Sequence, residues 1–186
     1  MTLSDIVNQE QTEYFQSLVS CLKESRKQGY EVVSELLIEL NTPQIPTPYR
    51  LYRADLVYKQ NGEVKILEVA KDTFGSFDSH PIIISPNIPG MLHPFRWNGL
   101  EWKISGDIQN WNLLEQWVNE WMDLDDVREA SDNDFSGLVH NVTEPVFENG
   151  FWTFSIDMGS AGIDALNSLF GIFEALGVTS FEMGRA

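Results

Sequence analysis

Of 186 residues, 42% are hydrophobic, 12% aromatic and 22% charged, which is too much apolar material for a disordered polymer and lacks the glycine–proline period of a fibre. Twelve Lys and Arg against 28 Asp and Glu leave a formal charge of −16, which repels nucleic-acid phosphates and anionic lipid and favours basic partners or plain solubility. No apolar run approaches the roughly 20 residues of a bilayer span, the opening MTLSDIVNQEQTEYF has no secretory pattern, and the lone Cys21 can form neither an internal disulfide nor a zinc site by itself. The expectation is a cytoplasmic protein without a cofactor that binds neither nucleic acid nor membrane.

In chain order, residues 3 to 28 predict an amphipathic helix ended by Gly29, with Leu3, Ile6, Val7, Tyr14, Phe15, Leu18, Val19 and Leu22 on one face and Cys21 inside the apolar arc. Residues 30 to 40 fit both a strand and a helix, and the strand is preferred. The proline-rich NTPQIPTP is an extended connector. Runs 49–59 and 63–70 flank Asn61-Gly62, a pair suited to a type I′ hairpin. Residues 72 to 91 read as a long loop holding one buried strand at Ile82-Ile83-Ile84, and Asn98-Gly99 suggests a second hairpin joining PFRW to LEWKI. A helix over 108–122 precedes an acidic stretch, 123–134. A strand pair over 137–142 and 151–157, a helix over 161–176 stopped by Gly177, and a closing strand to Met183 complete the chain. The predicted fold class is α+β: an amino-terminal helix on an antiparallel sheet of hairpins over 1–106, followed by a smaller acidic β-β-α-β unit over 107–186 that shares its core.

Two carboxylates stand out. In a two-residue hairpin at Asn61-Gly62, Asp55 lies opposite Glu68 on one face, about 5 Å apart at Cβ, and like charges so placed need a metal, a shared proton or a cation; Arg53, two residues along, is the nearest cation. Asp55, Glu68 and Lys71 in RADLVYKQNGEVKILEVAK resemble the metal-dependent nucleases of the restriction-endonuclease-like family, whose carboxylates hold Mg²⁺. That family places its lysine two positions after the glutamate, where this chain has Ala70. The resemblance spans about twenty residues and implies a metal-dependent hydrolase as an alternative function; the plain alternative is a solvated hairpin face with Asp55 paired to Arg53.

Asp132, Asp134 and Ser136, followed by Gly137, copy the opening of a calcium loop, although the twelfth position is Thr143 where glutamate belongs. Asp157-Met158-Gly159-Ser160-Ala161-Gly162 sits where a strand turns into a helix, but it misses the spacing of a nucleophile elbow, and Ser160 is expected to be the helix N-cap. His80, His93 and His140 show no mutual spacing of a metal site or triad.

The helix over 108–122 bears on partners. Its apolar residues, Ile108, Trp111, Leu113, Leu114, Trp117, Val118, Trp121 and Met122, cover about 220° of its circumference, so part of that face needs a second cover. Either it lies wholly inside, or Trp117, with Leu113 and Trp121, forms an exposed anchor rimmed by Asp123, Asp125, Asp126 and Asp132. Residues 107–186 carry 15 of the 28 carboxylates against two basic side chains. The leading expectation is therefore a non-catalytic acidic interaction module, of the inhibitor or immunity type that occludes a basic protein such as a nuclease toxin. A housekeeping domain with another ligand is a further possibility.

Overall fold

The computed structural model describes residues 2–70, 74–84 and 87–185. It is an α+β protein. Helix α1 (Leu3–Lys27) starts at a reciprocal capping box, in which the Asp5 N–H donates to Thr2 Oγ1 at 3.2 Å and the Thr2 N–H to Asp5 Oδ2 at 2.8 Å. Its stripe of Ile6, Val7, Tyr14, Leu18 and Leu22 is buried, and Cys21 packs half-buried beside it.

Three strands follow as an antiparallel sheet, β1 (Val32–Glu39), β2 (Leu51–Gln60) and β3 (Glu63–Leu67), with β2 in the middle. Asn61 and Gly62 both have positive φ, 53° and 84°, as the type I′ turn demands, and the expected register holds through Leu56 opposite Leu67.

The second sheet has seven strands: β4 (His80–Ile84), β5 (Ile88–Leu92), β6 (Leu100–Gly106), β7 (Asn141–Val142), β8 (Val146–Glu148), β9 (Phe151–Asp157) and β10 (Val178–Met183). Their order is β4-β5-β10-β6-β9-β7, with β8 also on β9. Only the β10–β5 pairing is parallel. Helices α2 (Asn112–Trp121) and α3 (Ile163–Ala175) pack together. Trp102 anchors the core beneath them, its ring 5.0 Å from that of Phe173 and edge-on to it, with Phe154, Phe170 and Phe181 around. One hydrophobic cluster takes residues from α1, both sheets, α2 and α3. No helix among the described residues is long and apolar enough to cross a membrane.

Several expectations change. The isoleucine run is the outer strand of the β4–β5 hairpin, with Ile84 buried and Ile83 72% exposed, because no further strand among the described residues covers β4. The PFRW segment does not pair with LEWKI: Arg96 and Gly99 form only a tight turn and an isolated bridge, since β6 already has β9 and β10 on its two sides. Helix α2 begins at Asn112, leaving Ile108 buried in the preceding segment. The strand expected over 137–142 shrinks to two residues, because the chain before Asn141 passes between the two sheets instead of lying in one.

Candidate functional site

That crossing builds the polar centre of the molecule. The His140 N–H donates to Asp157 O at the end of β9 (2.8 Å), and its carbonyl accepts the N–H of Arg53 in β2 (2.7 Å), so the backbone of His140 stitches one sheet to the other. Its side chain is 1% exposed and lies between two carboxylates. Nδ1 donates to Asp55 Oδ1 at 2.7 Å and Nε2 to Glu35 Oε1 at 2.9 Å. The β1–β2 ladder skips one position, the one at which Glu35 would face Asp55, and there Glu35 takes a positive φ of 53°. That kink belongs to the arrangement that brings both carboxyls to one imidazole.

Each carboxyl has further donors. Asp55 accepts the Val69 N–H at 2.6 Å and the Tyr14 hydroxyl at 3.3 Å. Glu35 accepts the Ser136 N–H at 2.6 Å and the Ser160 hydroxyl, which itself accepts the Leu138 N–H at 2.9 Å. Ser160 is thus not the cap of α3: Gly162 holds that position without a side-chain bond. Gly159, at φ 51°, runs so close to the imidazole that a Cβ there would collide with the His140 ring.

Arg53 is not the partner of Asp55. Its guanidinium, 3% exposed, donates through Nε to Met122 O (2.6 Å), through Nη1 to Glu35 O (2.7 Å) and Asp126 Oδ1 (3.0 Å), and through Nη2 to Asp123 O (2.6 Å). Strand alternation places it on the face of Asp55, but the chain turning after α2 offers it two carbonyls and β1 a third. The solvated hairpin face is equally absent, for Asp55 is 1% exposed. Glu68 stays on the outside, with Oε2 3.4 Å from the Asp55 N–H. Lys71 lies outside the described residues.

The electrostatics follow from burial. Desolvation works against a charged imidazole, yet the bonds to Asp55 and Glu35, with Asp157 nearby, outweigh it and push His140 up to about 10. Burial pushes Asp157 up to about 7, against the pull of His140. Burial, then Asp55, raises Glu68, and burial foremost raises the Tyr14 phenol.

The shifts of Asp157 and His140 are both upward, so each stabilises the fold below the ordinary value of its group and is lost as pH climbs to the folded value, from about 3.8 to about 7 for Asp157 and from about 6.5 to about 10 for His140. Asp5 and Asp134 are lowered, by Thr2 and Arg26 respectively, and act in the opposite sense at acid pH. Urea unfolding across pH is therefore expected to give greatest stability on the mildly acidic side of neutrality and a decline of several kcal/mol toward pH 10. In His140→Gln the decline above pH 7 should be smaller, although the buried Asp157 carboxyl, released from the pull of the imidazole, titrates higher and keeps part of it. An unchanged alkaline limb in that variant would contradict a charged, buried His140.

The remaining expected site residues lie as follows. Trp117 is 2% exposed and its indole N–H donates to Ala165 O in α3 at 3.2 Å, so it faces the interior; α3 is the second cover that the wide apolar face requires. Leu113 and Trp121 are half-buried, and Arg128 lies over the Trp121 ring at 4.9 Å. Asp123 is buried and caps the following turn, accepting the N–H groups of Val127 (3.2 Å) and Arg128 (2.8 Å). Asp125, Asp126 and Asp132 are exposed. Asp134 pairs with Arg26 at 2.7 Å and Ser136 turns toward Glu35, so the calcium-like residues are drawn apart; no group of three metal-ligating side chains occurs among the described residues.

Glu35, His140 and Ser160 escaped sequence reasoning as partners because they lie 85 to 125 residues from the groups they meet. The one usable signal was the need of Asp55 for a cation. A cleft of about 240 Å³ between β1 and the acidic loop is lined by Glu35, Arg53, Asp123, Asp126 and Arg128, with neither Asp55 nor His140 in its wall. Comparison of the chain with protein families, with curated proteins and with solved structures finds no match.

Proposed function

We propose that the protein is a non-catalytic acidic interaction module that captures a basic protein through its 123–134 loop. The observation that carries this reading is that the loop is acidic on the outside and braced from within. Arg53 grips it at Met122, Asp123 and Asp126. Arg128 donates back to Glu120 O at 2.9 Å and Gly137 O at 3.3 Å, and Arg26 with Ser34 holds the far end at Asp134. Asp125, Asp126, Glu129 and Asp132 remain exposed around Val127, which is 75% exposed. A braced loop loses little conformational freedom on binding, and its charge speeds encounter with a cationic surface. An inhibitor or immunity role, in which a basic enzyme is occluded, fits this chemistry.

A hydrolase based on Asp55 and Glu68 has less support. The Asp55 oxygens already accept from His140, Val69 and Tyr14, and Ser160, 6% exposed with its hydroxyl donating to Glu35, does not line the cleft beside it.

Asp125→Lys, Glu129→Lys and Asp132→Lys, combined, reverse the loop's exposed charge without touching its braces. Capture of basic proteins from host lysate at low ionic strength is expected to be lost, and association with any captured partner to slow by about tenfold or more. Equal capture by the wild type and the triple variant, with both folded, would refute the proposal.

A further inference from the structure

Edges of β-sheets invite other chains, and folds blunt them with proline, kinks, brevity or cover. Most edges here are treated in this way. β1 carries the Glu35 kink and is covered by the 134–136 segment, through Ser34 and Ser136. β4 contains Pro81, and β7 and β8 have two and three residues. The exception is β3: among the described residues it pairs with β2 alone, and it has neither proline nor a positive φ and exposes Glu63 through Ile66.

Hairpin geometry orients this edge. Gln60 and Glu63 flank the two-residue turn as a hydrogen-bonded pair, so Glu63, Lys65 and Leu67 direct their backbone groups at β2 while Val64 and Ile66 direct theirs outward. Val64 is 62% exposed and Ile66 47%, and a shallow groove of about 290 Å³ lined by Val33, Leu36, Val57, Tyr58 and Val64, with Glu31 and Lys59 as its charged members, continues the apolar surface inward. In a chain of charge −16, the stretch from Tyr58 to Leu67 carries Lys59 and Lys65 against Glu63 alone, so this edge lacks the negative charge that elsewhere keeps two copies apart.

We propose that β3 pairs antiparallel with β3 of a second copy of the chain, across a two-fold axis at Val64, fusing two three-stranded sheets into one of six strands. Charge chooses this register. Centred on Val64, the two valines exchange backbone bonds and Glu63 faces Lys65 of the other copy twice; centred on Lys65, two ammonium groups would oppose each other. The apolar surfaces around Val33, Val57, Val64 and Ile66 then join on one face of the continuous sheet, an isologous contact that closes on itself.

Sedimentation velocity over a concentration series tests this. The wild type is expected to pass from monomer to dimer. Glu63→Lys and Lys65→Glu each place like charges together twice per dimer and should raise the dissociation constant on the order of tenfold or more. The double variant restores opposite charges and should return to within about threefold of the wild type. All four proteins should show the same circular dichroism, because both side chains are exposed. A wild type that stays monomeric throughout overturns the proposal, and so does a dimer unmoved by either single change or not restored by the double one.

Discussion

His140→Ala is expected to destabilise the protein by about 3–5 kcal/mol, measured by urea or thermal unfolding at neutral pH. The substitution removes the single cation between Glu35 and Asp55 and leaves two carboxyl groups buried at 3% and 1% exposure. Uncompensated buried charge is among the costliest defects a core can hold, and here it adds to the cavity left by the ring. Neutralising the partners should recover part of the loss. Glu35→Gln with Asp55→Asn in the His140→Ala background is expected to regain on the order of 1–2 kcal/mol, because amides need no counter-charge although some of their donors stay unpaired. If His140→Ala cost less than about 1 kcal/mol, the imidazole would not be the hub that the geometry describes.

Arg53→Met is the second large loss, also about 3–5 kcal/mol. The guanidinium satisfies the carbonyls of Glu35, Met122 and Asp123, and methionine fills much of its volume while leaving those acceptors buried without donors. Arg53→Lys should rescue little, since one ammonium cannot span three carbonyls that a planar fork reaches at once. The two substitutions differ in where the damage shows. His140→Ala should speed amide exchange at the seam between the sheets, around Val139–Val142, whereas Arg53→Met should loosen the acidic loop and expose it to proteolysis first. Uniform loosening in both would mean that the loop has no brace of its own.

Local chemistry made much of the fold legible in the sequence. The 3.6-residue stripe of α1, the Asn61-Gly62 turn, and α3 stopped at Gly177 before β10 each depend on residues within a few positions of one another. Asn98-Gly99 shows the limit of that reading: the turn falls one residue earlier, at Trp97-Asn98, β6 pairs with β9 and β10, and nothing in PFRW or LEWKI says that those strands will arrive. The polar centre was half visible. Two like charges across the hairpin called for a metal, a shared proton or a cation, with Arg53 the nearest cation; instead that arginine is drawn to carbonyls of a loop some 70 residues away, Glu68 stays exposed, and a histidine 85 residues on lies between Asp55 and Glu35. Trp117 was ambiguous for a related reason. A wide apolar face says that a helix needs two covers, whereas only the tertiary structure reveals that α3 supplies one of them.

The place of β10 has a consequence for how the chain reaches its native state. Residues 178–183 lie between β5 and β6, strands made at least 72 residues earlier, so on a ribosome those two strands must wait side by side with a gap where their shared neighbour belongs. Pairings so distant in sequence are slow to form, and the waiting strands are open to wrong partners until residue 183 has emerged. Synthesis speed and chaperone supply should therefore affect the yield of this protein alongside the strength of its native contacts.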